Sequence, residues 1–166
     1  VRTVALFCCV AFAALAAVPL AAKDSLGMFG QWGAFRDPGA GRCYAIAVPQ
    51  KSRAARETEP FASVGTWPGR GVRGQFQARL SRKLADKPGV TLSLGGRRFA
   101  LVGGGTDAWA ADKAMDAAIL AAMRSARAMT VSARDTLGRR FSDSYALDGA
   151  ATAMDAASVG CARVRR

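Results

Sequence analysis

From Gln31 to Pro49 the sequence runs QWGAFRDPGAGRCYAIAVP, and this stretch constrains the fold more than any other. Trp32, Ala34 and Arg36 fall on one face of an extended segment, and Asp37-Pro38-Gly39-Ala40-Gly41 supplies turn chemistry. Cys43, Ala45 and Ala47 then alternate with Tyr44, Ile46 and Val48. The reading is strand, turn, strand. Of the 4 cysteines, Cys8 and Cys9 lie in an apolar leader, which leaves Cys43 a single distant counterpart, Cys161.

The leader decides how those cysteines are used. Arg2 supplies a positive start, Val4 to Ala17 an apolar run and Ala21-Ala22 a small-residue end, the pattern of a secretory signal peptide cleaved near residue 22. An uncleaved membrane anchor is the alternative, because the apolar run approaches spanning length. Pro19 ahead of the alanines and the lack of a basic stop-transfer cluster favour cleavage. Residues 23–166 are then expected to form one domain without a transmembrane span. Disulfides form and persist in exported proteins, so a Cys43–Cys161 bridge is expected, with two unpaired buried thiols as the alternative. The bridge closes a loop of roughly 120 residues, worth about 4–5 kcal/mol in the chain-entropy model.

Alternation dominates the rest of the chain. Phe61–Trp67, Gly74–Lys83 and Val90–Leu94 read as strands, and Gly95-Gly96 opens a tight hairpin into Arg97–Val102 because primed turns need positive φ. In Gly74–Lys83 the residues Phe76, Ala78 and Leu80 face inward and Arg79 outward. Met129–Ala133 and Arg139–Leu147 are further strands; Asp143 falls in phase with Phe141, Tyr145 and Leu147, which calls for a sheet end or a bulge there. Apolar spacing predicts a helix over 110–127, capped by Thr106 or Asp107, and a second over 149–161, capped by Asp148. Ala150, Ala153, Met154, Ala157 and Cys161 form its inward stripe. Lys23–Gly30 is a short lead-in with Met28 and Phe29 starting the first strand, Gln50–Pro60 an exposed loop and Gly103-Gly104-Gly105 a flexible link. The fold class is mainly β, an antiparallel β-sandwich with two α-helices.

The formal charge is +12, with a pI near 10.8 and no histidine. Charge of this size speaks to partners rather than fold. For an exported chain the partners are lipopolysaccharide, an anionic lipid surface or acidic polymer rather than nucleic acid; the alternative is that arginine is merely abundant. Arg70, Arg73, Arg79, Arg82 and Arg97 are the candidate polyanion-binding set. Absence of histidine removes Ser-His-Asp and Cys-His machinery and histidine-ligated zinc. Asp112 and Asp116 read as helix-start acids rather than a cation site. No catalytic residue, cofactor or metal is expected, although an acid pair from distant segments would make a hydrolase. Trp32, Trp67 and Trp109 suggest either a stacking platform for sugars or bases, or the commoner core and rim packing.

Two further motifs carry a resemblance. Trp32-Gly33-Ala34-Phe35 followed by Gly41-Arg42-Cys43-Tyr44, and Tyr145-Ala146-Leu147-Asp148-Gly149-Ala150 before an Ala-rich helix, resemble the invasion-associated locus B family of exported α-proteobacterial proteins. The resemblance spans most of residues 30–161 and points to a divergent branch. Members often carry a cysteine shortly after the tryptophan, where Arg36 stands, and another before the penultimate helix, where none occurs near Trp109. It implies an immunoglobulin-like β-sandwich with two helices, periplasmic or outer-membrane associated or secreted, linked in some pathogens to host-cell entry and without assigned catalysis. No functional residue transfers, because the family motif is structural. The expectation is a non-catalytic envelope protein with a binding or structural role. Its rivals are an adaptor or inhibitor that docks another envelope protein through the 50–60 loop, and a hydrolase acting on envelope polymers.

Overall fold

A computed structural model describes residues 22–162. The expected signal peptide at residues 1–22 lies almost wholly outside the described residues. Eleven strands and two helices follow in the order β1 (Asp24–Phe29), β2 (Trp32–Asp37), β3 (Arg42–Ala47), β4 (Phe61–Trp67), β5 (Val72–Arg79), β6 (Thr91–Leu94), β7 (Arg97–Ala100), β8 (Val102–Gly104), β9 (Asp107–Trp109), α1 (Lys113–Met123), β10 (Ala128–Arg134), β11 (Arg140–Ala146) and α2 (Ala150–Ala162). A 3-10 turn, Pro68–Arg70, joins β4 to β5.

Two antiparallel sheets result. The larger has 7 strands in the order β1-β2-β3-β4-β5-β9-β8, and the smaller has 4 in the order β11-β10-β6-β7. Strands β1 to β5 stay together as successive hairpins in one sheet. Immunoglobulin-like connectivity, which distributes neighbouring strands between sheets by Greek-key connections, is not confirmed by this order. The chain changes sheet over a single residue: Leu101 separates β7 from β8, and its N–H bonds Val90 O at 2.9 Å.

Alternation places one apolar core between the sheets and under α2. On the large sheet Ala34, Ala45, Val64 and Phe76 lie side by side across four strands and are all buried. On the small sheet Leu92, Leu94, Phe99, Met129, Val131 and Tyr145 face them in the same cluster. Helix α2 lays its stripe of small residues, Ala150, Ala153, Ala157 and Cys161, against β1 to β4. Cys161 bonds Cys43 with Cα atoms 5.6 Å apart, across a separation of 118 residues. The expected bridge is present.

Small residues let the helix start in a crowded place. Gly149 sits at φ +80°, and a Cβ there would lie 1.8 Å from Phe29 O. The β1–β2 turn thus touches the entry to α2 directly, joined by Gln31 N–H to Asp148 O (3.2 Å) and Trp32 Nε1–H to Ala146 O (2.9 Å).

Four expectations need correction. Lys23–Gly30 is more than a lead-in with a strand starting at Met28: Asp24–Phe29 pairs with β2 as an edge strand, with a register shift between Ser25 and Gly27. Gly103-Gly104-Gly105 is no flexible link, since Gly103 and Gly104 belong to β8 and pair with Ala108 and Asp107. Thr106 and Asp107 therefore lead into β9, and the first helix starts later, capped by Asp112, whose carboxylate accepts Met115 N–H at 2.7 Å. Asp143 needs no bulge. It pairs with Val131 in regular register and is buried because its carboxylate accepts Ser81 N–H at 2.8 Å.

Candidate polyanion-binding groove

The five arginines singled out from the sequence do not come together. Arg70 closes the 3-10 turn and Arg73 follows at the start of β5, both exposed. Arg79 lies toward the other end of β5, about 20 Å along the strand from Arg73. It faces outward opposite the buried Phe76, Ala78 and Leu80, as the alternation requires, and pairs with Asp107 at 3.2 Å. Arg82 is largely buried and pairs with Asp135 at 3.0 Å. Arg97, on the other sheet, has its guanidinium 4.8 Å from the centre of the Phe99 ring. Two of the five are thus neutralised by carboxylates.

The small sheet builds a different basic surface on its outer face. Register sets Arg98, Ser93, Thr130 and Ser144 side by side across four strands. The next row is Ala100, Thr91, Ser132 and Ser142, and beyond it Arg134 pairs with Arg140. These are the positions that alternate with the core-facing Leu92, Leu94, Met129 and Val131, so all point away from the core. A groove of about 580 Å³ crosses this face, bordered by Lys87, Arg98, Arg134 and Arg140 and floored by Thr91, Ser93, Ser132 and Ser142. Among the described residues no carboxylate lines it. Arg134 is the most restrained of the four cations, donating from Nη1 to Gly138 O at 3.0 Å.

Strand pairing explains why spacing alone misses this set. Arg98 lies far in sequence from Arg134 and Arg140, which face each other across the β10–β11 turn, and the three share one face only because β10 inserts between β6 and β11. The usable signal was the run of small hydroxyl residues on the polar phase of three separate strands, Thr91 and Ser93, Thr130 and Ser132, Ser142 and Ser144. Short hydroxyl side chains leave room above the sheet, and the long arginines wall it.

Carboxylates elsewhere serve structure. Asp116 is partly buried, and desolvation raises its pKa; the Phe76 N–H bond opposes that shift and Asp112 adds to it. Its Oδ1 accepts Phe76 N–H at 2.8 Å, so α1 seals the edge of β5 beyond the end of β9. Among the described residues no group of three or more Cys, Asp or Glu side chains could hold a metal ion. No described helix is long and apolar enough to cross a membrane.

Comparison of the chain with protein-family models, with curated proteins and with solved structures finds no match.

Proposed function

We propose that this chain is an exported, non-catalytic binding protein whose ligand is an anionic envelope polymer or lipid surface held in the groove of the small sheet. One observation carries the reading: four cationic side chains and four hydroxyls line a single concavity that holds no carboxylate. Unpaired cations attract polyanions through long-range, salt-screened fields, and hydroxyls supply neutral hydrogen bonds to phosphate or carboxylate oxygens. The resemblance to the invasion-associated locus B family supports an envelope location. The Cys43–Cys161 bridge supports an oxidising compartment.

The test is co-sedimentation with vesicles of phosphatidylglycerol and phosphatidylcholine, and with lipopolysaccharide, across a salt series. Binding at low salt that weakens steeply as salt rises is expected, and vesicles of phosphatidylcholine alone should not bind. The triple variant R98S/R134S/R140S should lose most of the binding, whereas R70S/R73S should retain most of it. Equal binding by wild type and triple variant would refute the groove. An adaptor that docks another envelope protein would instead be captured from extract in a salt-resistant manner.

A further inference from the structure

The outer face of the large sheet carries a second surface of different chemistry. Register places Phe35, Tyr44, Gly65 and Gln75 in one row, and Ile46, Ser63, Gln77 and Trp109 in the next. None of these residues belongs to the apolar core cluster or packs against it. The helix that covers the large sheet does so on the opposite face, where Cys161 meets Cys43.

Trp67 belongs to this surface. A Cβ built on Gly65 would stand 2.7 Å from two indole carbons of Trp67, so the ring is folded back over the glycine. Phe35 covers Gly33 in the same manner, at 2.7 Å, and stacks on Tyr44 with ring centres 5.7 Å apart. Trp109 sits in the next row beside Gln77. The three tryptophans thus divide: Trp32 is fully buried in the core, while Trp67 and Trp109 are half-buried on the outer face.

The charges on this face cancel. Arg42 pairs with Asp37 at 3.7 Å and stands 4.6 Å from the Tyr44 ring centre; Arg79 pairs with Asp107 at 3.2 Å. Two cations and two carboxylates leave no net formal charge in a chain of formal charge +12. A polyanion gains nothing here that the groove of the small sheet does not offer better. Size argues against a second protein copy. Seven strands at about 4.8 Å spacing and roughly five residues of length span about 500 Å², short of the roughly 800 Å² per partner of a standard interface.

From this we infer that the outer face of the seven-stranded sheet is a stacking platform for an uncharged polysaccharide chain. The C–H face of a pyranose carries partial positive charge that suits the negative face of an aromatic ring. Trp67, with the Arg42 guanidinium 5.9 Å from its ring centre, and Trp109 supply such rings. The Gln75 amide and the amide oxygen of Gln77, whose Nε2 donates to Asp107 Oδ1 at 3.0 Å, lie within the same two rows to meet sugar hydroxyls. The two rows cross four strands each, which fits a chain that runs across them rather than a terminal sugar enclosed on all sides.

Affinity electrophoresis through gels containing hydroxyethylcellulose, laminarin, galactomannan or dextran tests this, with tryptophan fluorescence as a second readout. Retardation by at least one polymer is expected, insensitive to about 0.5 M salt because no free charge takes part. W67A and W109A should each weaken it by roughly tenfold, the scale of one lost stacking contact. Their thermal midpoints should stay close to wild type; should either unfold, Q75A/Q77A replaces it with the same expectation. Retardation by none of the four polymers, or retardation unchanged in the tryptophan and glutamine variants, overturns the proposal. So does concentration-dependent dimerisation abolished by W67A, which would make a second copy the occupant.

Discussion

Asp135 is 1% exposed and stands where β10 turns toward β11. Its Oδ1 accepts the N–H groups of Leu137 (3.0 Å) and Arg139 (2.9 Å), and its Oδ2 accepts Arg139 Nε (2.9 Å) and Arg82 Nη1 (3.0 Å). Burial alone would push this carboxyl upward, but the hydrogen bonds from Arg139, Arg82 and Leu137 outweigh it and hold the group at about 2. An unfolded aspartate titrates near 3.9, roughly two units higher. The folded value is depressed, so the carboxylate's contribution is fully present above about pH 4 and is lost as pH falls toward about 2. D135N should therefore lower the thermal midpoint at neutral pH and flatten the acid limb between about pH 4 and 2, read from melts across that range. An acid limb identical to wild type would mean that other carboxylates govern it. Asp135-Thr136-Leu137-Gly138 forms a local turn, with Gly138 at φ +74°. Arg82 is 53 residues from Asp135. Only the fold brings it to the turn and thereby removes it from the basic surface.

Among the elements, those with strict alternation or helical spacing were legible, and those built by pairing alone were not. The Gly95-Gly96 hairpin takes both glycines at positive φ, 56° and 77°, as a primed turn needs. Strands β8 and β9 have 3 residues each, too short to show a period, and β8 is two-thirds glycine. Their signal lies in Thr106 O and Gly105 O, which accept Leu80 N–H and Leu84 N–H at 2.8 Å and fix the hairpin to the end of β5. Such backbone bonds leave no trace in residue type. The C-terminal helix was legible because its small residues form one stripe, and Gly160 shows how close that packing is: a Cβ there would meet Leu26 at 2.5 Å. The Cys43–Cys161 bond tethers this helix to β3 near the end of the chain's described part. Reduction should cost about 2–5 kcal/mol of unfolding free energy, on the scale of removing a native bridge from a small exported domain. Denaturant melts with and without dithiothreitol measure it. C43A/C161A should match the reduced protein and show no response to dithiothreitol; a wild-type midpoint that reductant leaves unchanged would contradict the assignment of stability to the bridge.

At the scale of the whole molecule, two sheets share one core and turn chemically unlike outer faces away from it. The small sheet presents cations and hydroxyls without carboxylates; the large sheet presents rings and amides with its charges paired. The alternation in each strand was readable, but which polar phases would join into one face depends on strand order, and that depends on the crossing at Leu101 and the insertion of β10 beside β6. The two faces have no lining residue in common and are separated by the thickness of the core, so their ligands should bind independently. Distant sites without shared partners contribute additively, to within a few tenths of a kcal/mol. R98S/R134S/R140S should therefore remove most of the salt-sensitive binding to phosphatidylglycerol vesicles while retardation by a neutral polysaccharide stays unchanged. W67A should do the reverse. The combined variant should show both losses at the size each has alone. Vesicle binding weakened by W67A as strongly as by the arginine substitutions would mean that one ligand reaches both faces or that the sheets shift together, and independence would be refuted.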